Sequence, residues 1–269
     1  MKIIRSKNKL KSLINNEKSL GFVPTMGAIH KGHISLVKKS KLECKKTVVS
    51  IFINKPQFNV KSDFNKYPRK LAKDIKILKK IKVDFLYLPS NKQIYPNGPN
   101  RNIKISTFAK KLCGVSRPGH FKAVVDVIDR FIKILNPRKI YFGEKDMQQL
   151  MIIKTFVRKN HKKVIVVPCK TIREKNGIAS SSRNILLTLS EKKIASKIYK
   201  TIKRKKNYLI KKKSVIRKIK FKIKNLGVKK IDYIEIININ KIIQPYKKNN
   251  KYKIFIAYYL NKTRLIDNI

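Results

Sequence analysis

The feature of this sequence that most restricts its fold is an alternation of short apolar runs with amphipathic stretches over about the first two-thirds of the chain. The runs that predict strands are FVPT (22–25), TVVSIFI (47–53), VDFLYLP (83–89), IYFG (140–143) and VIVVP (164–168). The stretches that favour helices are 33–43, 69–80, 121–135 and 146–159. Strand–helix alternation is typical of βαβ units around a parallel sheet, whose strands are buried on both faces and read as continuous apolar runs.

The character of the chain changes near 172–190, where the alternation of strands and helices stops. From 191 to about 226 the sequence is rich in lysine and favours helix, and YIEIININ (233–240) and YKIFIAYYL (252–260) favour strands. We therefore predict a first domain at 1–172 and a smaller α+β domain at 173–269.

The charge of the chain is extreme, with 68 Lys and Arg against 14 Asp and Glu and a formal net charge of +54. Such a charge often indicates nucleic acid or an anionic membrane as a partner. Here the lysines are spread along the sequence and accompany many isoleucines and asparagines, residues that all have A/T-rich codons. Mutational bias explains this composition, so nucleic-acid binding is not expected, although a polyanion partner remains an alternative.

Cysteine usage and the apolar runs predict where the protein resides. Cys44, Cys113 and Cys169 are far apart and form no CxxC pair, which argues against disulfides or a zinc site and favours a reducing compartment. The N-terminal segment lacks the apolar region of a signal peptide, and the apolar runs are too short to span a bilayer. We expect a soluble cytoplasmic protein with no membrane partner.

Two of the four histidines stand in VPTMGAIHKGHISLV (23–37), after the first predicted strand. Ligands of open α/β sheets bind at the carboxyl ends of strands, and a helix N-terminus offers free N–H groups to phosphate. His30 and His33 are one helical turn apart, so both can face one phosphate whose charge grows in a transition state. The alternative is that the two rings only cap and pack the helix.

Two further polar clusters follow predicted strands or begin predicted helices. In INKPQF (53–58), Asn54 and Gln57 suit hydrogen bonds to hydroxyl and carboxylate groups of a small substrate, although a turn built on Asn and Pro has the same composition. In SRPGHF (116–121), Arg117 has the donors to bind an anion, and His120 is equally suited to start a helix.

The last two clusters carry the residues best suited to a nucleotide. In FGEKDMQQL (142–150), Lys145 can neutralise phosphate charge and Asp146 can support Mg²⁺, which prefers few carboxylates together with substrate phosphates. The two glutamines that follow are additional polar candidates. In NGIASSSRN (176–184), three serines and Arg183 suit a loop that closes on a triphosphate, although a flexible linker is also rich in serine.

Together the clusters resemble the pantoate-β-alanine ligases (pantothenate synthetases) of the HxGH nucleotidyltransferase superfamily. The resemblance runs from about residue 20 to RLIDN at 264–268 and rests on VPTMGAIHKGH, VSIFINKPQF with YPR (67–69), SRPGHF, FGEKDMQQL and SSRN. It implies an α/β fold in which a Rossmann-like parallel-sheet domain is joined to a smaller C-terminal α+β lid domain that lies near a dimer contact, and it implies a homodimer.

The resemblance also implies a reaction. The carboxylate of (R)-pantoate attacks the α-phosphate of ATP, diphosphate leaves, and the amine of β-alanine then attacks the pantoyl adenylate to give pantothenate and AMP. His33 takes the position of the family's proton donor, and His30 and Lys145 bind phosphate. The resemblance assigns ATP binding to Met26, Gly27, Ala28, Ile29, His30, Lys31, Gly32, His33, Gly143, Glu144, Lys145, Asp146, Ile172, Ser180, Ser181, Ser182 and Arg183.

The remaining implied site residues concern the substrates and the metal. Gln57 and Gln149 hold pantoate, Gln57 also lies near β-alanine, and Asn54 is a further substrate-binding candidate. Mg²⁺ is expected mainly on the ATP phosphates, with Asp146 and Asp74 as supporting ligands.

The chain departs from the family pattern at Lys55-Pro56, where the usual proline has moved by one residue, and at Ala123, Asp126 and Ser180. Three alternatives therefore stay open: another HxGH nucleotidyltransferase that acts on a phosphorylated acceptor, an inactive homologue that has drifted, and a nucleic-acid-binding protein.

Overall fold

The computed structural model describes residues 1–243 and 250–269, and these form two compact units. The first unit comprises Met1–Glu144 and Gln148–Lys170, and the second comprises Lys145–Met147 and Thr171–Ile269. Each unit has a hydrophobic core of its own. No helix within the described ranges is long and apolar enough to cross a membrane.

The first unit is built on a six-stranded parallel sheet with the order β1-β4-β3-β2-β5-β6. The predicted parallel-sheet domain is therefore confirmed. Its strands are β1 (Lys2–Ile4), β2 (Leu20–Thr25), β3 (Lys46–Ile51), β4 (Phe85–Tyr87), β5 (Lys139–Gly143) and β6 (Ile165–Cys169).

Helices connect these strands because amphipathic segments bury one face against the sheet. The longest, α7, has eleven buried residues. The helices are α1 (Lys7–Ile14), α2 (Lys31–Glu43), α3 (Lys61–Lys66), α4 (Leu71–Lys80), α5 (Asn91–Ile94), α6 (Cys113–Ser116), α7 (His120–Leu135) and α8 (Met147–Asn160). Short 3-10 helices lie at Lys55–Gln57, Thr107–Lys110 and Glu144–Asp146.

The strand order contains a topological switch point beside β2. From β2 the chain proceeds through β3 to β4 on one side, whereas β5 and β6 lie on the other. Ligands of open α/β sheets bind in the crevice outside the carboxyl ends of strands at such a point. The fold therefore directs attention to the residues that follow β2, β3 and β5.

The second unit contains a three-stranded antiparallel sheet packed with helices, which confirms the predicted smaller α+β fold. Thr188 and Glu191 form a capping box that starts its longest helix. The elements are α9 (Leu189–Lys211), α10 (Ile216–Lys224), β7 (Lys230–Asn238), α11 (Ile239–Ile243), β8 (Tyr252–Leu260) and β9 (Thr263–Asn268), with 3-10 helices at Ser182–Leu186 and Lys213–Val215.

Candidate active site

The loop between β2 and α2 is held in a single conformation by the ends of its neighbouring strands. The Oγ1 of Thr25, at the end of β2, donates to the carbonyl oxygen of Ser50 at 2.7 Å and accepts from the N–H of Gly27 at 3.1 Å. Gly27 has a φ of +83°, a left-handed conformation that favours glycine. A Cβ there would lie 3.0 Å from a carboxylate oxygen of Asp74, so the loop has no room for a side chain.

Asp74 on α4 supports the same loop from the other side. Its two carboxylate oxygens accept the N–H groups of Ala28 and Ile29 at 2.8 and 2.7 Å, and the residue is 1% exposed. Burial raises the pKa of this carboxyl, and the two N–H hydrogen bonds oppose the rise. Because both oxygens are engaged by the backbone, the geometry favours a positioning role for Asp74; its role as a metal ligand stays a prediction.

The two histidines of the loop lie side by side at the start of α2. His30 is the N-cap residue, and its Nδ1 accepts the N–H of Gly32 at 3.1 Å. In the neutral ring the proton is then on Nε2, which makes that atom a hydrogen-bond donor. The ring centroids of His30 and His33 are 3.9 Å apart. Two imidazoles, the N-terminus of α2 and the exposed Lys31 are therefore concentrated at the end of β2.

The turn that follows β3 brings the predicted substrate amides to this loop. Asn54 is 1% exposed, and its Nδ2 donates to the Oε1 of Gln57 at 3.1 Å while its Oδ1 accepts from the hydroxyl of Tyr95 at 2.7 Å. The Nε2 of Gln57 lies 3.0 Å from the Sδ of Met26. Asn54 thus orients Gln57, and Gln57 adjoins the first residue of the predicted nucleotide loop.

The SRPGHF cluster fixes the same turn from below. Arg117 donates through Nη2 to the carbonyl oxygen of Gln57 at 3.2 Å and through Nη1 to the Nε2 of His120 at 3.2 Å. Because arginine only donates, the proton of a neutral His120 is on Nδ1, which donates to the same Gln57 carbonyl at 2.8 Å. These contacts give Arg117 a structural role, and His120 is the first residue of α7, as one of the two sequence interpretations expected.

The segment around the end of β5 separates two neighbouring glutamines. Gln148 is buried, accepts the N–H of Cys113 at 3.1 Å and donates to the carbonyls of Phe108 and Lys111 at 3.0 and 2.7 Å, so it is a structural residue. Gln149 is half-buried, which is compatible with its predicted contact to pantoate. At Gly143 a Cβ would meet no described atom within 4 Å, so the end of β5 and Glu144 border open space.

Within the second unit, Lys145 shares a small pocket with the serine-rich segment. Lys145, Ser181 and Arg183 line this pocket, and the Nζ of Lys145 lies 2.9 Å from the Oδ1 of Asp146. The side chain of Lys145 is 18% exposed and that of Asp146 is 44% exposed. Lysine, arginine and hydroxyl donors around one pocket form a surface suited to phosphate oxygens.

The serine-rich segment is an ordered hairpin in this structure. The N–H of Ser180 donates to the carbonyl of Ile172 at 2.9 Å, and Ser181 caps the 3-10 helix that begins at Ser182. The Nδ2 of Asn184 donates to Glu174 at 2.9 Å and to the carbonyl of Ala179 at 3.0 Å. The predicted ATP-binding residues of this segment therefore rest on a hydrogen-bonded framework.

The donor set was tested for Mg²⁺. Across residues 1–243 and 250–269, no three His, Cys, Asp or Glu residues cluster in a way that could hold a metal ion. Mg²⁺ in nucleotide enzymes commonly uses one or two carboxylates, waters and the phosphates themselves. Asp146, with an accessible carboxylate beside Lys145, fits that pattern, whereas both oxygens of Asp74 already accept N–H groups.

Comparison with known proteins agrees with the resemblance. The family model for pantoate-beta-alanine ligase matches residues 2–269. The pantothenate synthetases of Caldicellulosiruptor saccharolyticus and Clostridium botulinum (strain 657) are 39% and 40% identical to this chain, over all of it and over 97% and 98% of their own lengths.

Solved structures of the same family share the fold. A pantothenate synthetase from Thermus thermophilus superposes with a TM-score of 0.91 at 30% identity, covering 100% of this chain and 99% of its own. A pantoate-beta-alanine ligase from Francisella tularensis, complexed with beta-gamma ATP and β-alanine, has a TM-score of 0.83 at 38% identity, with coverages of 100% and 97%. The chain belongs to the pantoate-β-alanine ligase family and is an enzyme of the ligase class.

Proposed function

We propose that this enzyme condenses (R)-pantoate with β-alanine, using ATP, and releases pantothenate, AMP and diphosphate. One observation carries the proposal: the Nε2 of Gln57 lies 3.0 Å from the Sδ of Met26. A buried amide suited to pantoate thus adjoins the loop that presents His30 and His33, at the carboxyl ends of two neighbouring strands. The ligands named for the Francisella relative, ATP and β-alanine, support the same substrates here.

In the first step the pantoate carboxylate attacks the α-phosphate, and diphosphate leaves. Two anions must approach each other, so cationic and N–H groups are needed to offset their repulsion. His30 and His33 supply imidazole donors at the N-terminus of α2, where the helix dipole also favours phosphate. Lys145 and Arg183 supply positive charge, together with the hydroxyls of Ser180, Ser181 and Ser182.

In the second step the amine of β-alanine attacks the carbonyl carbon of the pantoyl adenylate, and AMP leaves. The acyl carbon is the electrophile and the substrate amine is the nucleophile, so no nucleophilic side chain is required. All three cysteines are buried, which agrees with a route without an enzyme thiolate. Gln57 orients pantoate and adjoins β-alanine, and Asn54 holds the Gln57 amide in position.

Mg²⁺ is the proposed metal, held mainly by the phosphates of ATP and supported by Asp146. When bound, it supplies charge neutralisation at the phosphate oxygens. The second domain, from 173 onward, is proposed to act as a lid that protects the adenylate from water. We further propose a cytoplasmic homodimer without a nucleic-acid partner.

An assay that omits each substrate in turn tests the proposal. AMP should form at the rate of pantothenate, and sustained turnover should require pantoate, β-alanine and ATP together. Adenylyl transfer to a phosphate ester without β-alanine would favour another HxGH nucleotidyltransferase. A folded protein that makes no AMP under any combination would identify an inactive homologue. Weak, salt-insensitive binding to RNA and DNA is expected alongside ligase activity, because strong nucleic-acid binding carries a steep salt dependence.

A further inference from the structure

The C-terminal strand of the second unit reaches the predicted catalytic lysine through one side chain. Asn268, the last residue of β9, is 3% exposed, and its Nδ2 donates to the backbone carbonyl oxygen of Lys145 at 2.8 Å. The two residues are 123 positions apart in the sequence. A buried asparagine therefore restrains the main chain of a residue whose side chain is proposed to bind phosphate.

The orientation of the Asn268 amide follows from its other partner. The Nζ of Lys253 lies 2.9 Å from the Oδ1 of Asn268. An ammonium group only donates, so the atom that faces it must be the amide oxygen, and the NH₂ group must face Lys145. An aspartate at this position would have the same shape but would place a second acceptor against the Lys145 carbonyl.

The same end of β9 also anchors the serine-rich hairpin. Arg173 forms a two-pronged ion pair with Asp267, with Nη1 and Nη2 at 2.7 and 2.9 Å from the carboxylate oxygens, and its Nη2 donates to the Asn268 carbonyl at 3.2 Å. Arg173 also donates to the carbonyl of Gly177 at 3.1 Å and stacks on Tyr199, with 4.1 Å from its guanidinium carbon to the ring centroid. Two consecutive residues of β9 thus hold both phosphate-binding segments of this unit.

We propose that Asn268 is a positioning residue that fixes the backbone of Lys145 for adenylate formation, an inference that rests on the function proposed above. The Asp146 carboxylate already holds the Lys145 ammonium at 2.9 Å, and Asn268 fixes the main chain from which that side chain extends. A catalytic group that is displaced by about 1 Å loses up to about a hundredfold in rate, so the loss of this hydrogen bond should appear in the adenylation step.

Pantoate-dependent exchange of labelled diphosphate into ATP measures adenylation alone and tests the inference on the full chain. Asn268→Asp should lower the exchange rate about tenfold, the value of one lost buried hydrogen bond, with the KM for pantoate within about twofold of the unchanged protein. Asn225→Asp, the same change at an exposed residue of the same unit, is the matched control and should leave the rate unchanged.

A double-mutant cycle separates positioning from general damage. If Asn268 acts through Lys145, Asn268→Asp should cost less than about twofold in a Lys145→Ala background. An equal loss in both backgrounds, or less than a twofold loss in the unchanged background, would overturn the inference. If Asn268→Asp does not give folded protein, Asn268→Ala removes the same donor without adding a charge and enters the same cycle.

The outcome also distinguishes this inference from the function on which it rests. No exchange by the unchanged protein would overturn the proposed function and this inference with it. Exchange that is lost in Lys145→Ala but preserved in Asn268→Asp and Asn268→Ala would overturn this inference alone.

Discussion

Removal of the Asp74 carboxylate should loosen the histidine loop and lower the stability of the first unit. In Asp74→Ala the N–H groups of Ala28 and Ile29, now 2.8 and 2.7 Å from carboxylate oxygens, lose their acceptors in a buried position. Each buried donor without a partner costs about 1–3 kcal/mol, so the free energy of unfolding should fall by about 2–6 kcal/mol. Because His30 caps the next helix, diphosphate exchange should fall about tenfold or more.

Two measurements check this prediction. The chain has no tryptophan, so urea unfolding followed by far-ultraviolet circular dichroism gives the free energy of unfolding. Amide hydrogen exchange of the peptide that contains residues 27–32 reports on the loop itself, and its protection should fall in the variant. Glu235→Ala removes an exposed carboxylate from β7 and is the control, with a change within about 0.5 kcal/mol.

The reasoning would be refuted by an Asp74→Ala protein whose loop keeps its protection and whose free energy of unfolding falls by less than about 1 kcal/mol. That result would mean that the two N–H groups find other partners. It would also return Asp74 to the metal role that the sequence suggested, which a measurement of Mg²⁺ dependence in the same variant would examine.

Three further predictions concern phosphate, pantoate and pH. His33→Ala and Lys145→Ala should each lower kcat about a hundredfold or more, since each group is proposed to stabilise charge in the transition state; a few-fold change in both would contradict the mechanism. Gln57→Ala should raise the KM for pantoate about tenfold with little loss of stability, whereas Gln148→Ala should leave that KM unchanged and lower the free energy of unfolding by about 1–3 kcal/mol; equal KM values in the two variants would remove pantoate from Gln57. Burial raises the pKa of Asp74 in the fold, so its contribution to stability is largest below the ordinary carboxyl range near about 4 and is lost as the pH rises through the raised pKa; Asp74→Asn should lack this decline in urea titrations at several pH values, and identical pH profiles would contradict the assignment.

The elements that the sequence predicted well are those with a strong periodic pattern. β2, β3 and β5 are continuous apolar runs in the interior of the sheet, and α7 repeats its apolar residues every three or four positions. β1 was missed because a three-residue edge strand carries no pattern. The break between α9 and α10 was missed because neither glycine nor proline marks it.

The candidate site shows the same division. His30, His33 and Lys145 are visible because they stand in short motifs beside a strand end, where local chemistry predicts a function. The roles of the residues that support them are invisible, since Asp74 meets the loop from 45 residues away and Asn268 meets Lys145 from 123 residues away. The carbonyl of Gln57, which receives both Arg117 and His120, has no sequence signal at all.

The central claim is that this enzyme activates pantoate as an adenylate, and the fate of the pantoate oxygens tests it most directly. In that route the attacking carboxylate oxygen becomes the oxygen that links the acyl carbon to phosphorus, and it leaves with AMP when β-alanine attacks the carbon. With pantoate labelled by ¹⁸O at its carboxylate, mass spectrometry should therefore find one labelled oxygen in AMP and one in the amide of pantothenate. Unlabelled AMP, or ADP and labelled inorganic phosphate in its place, would contradict the account.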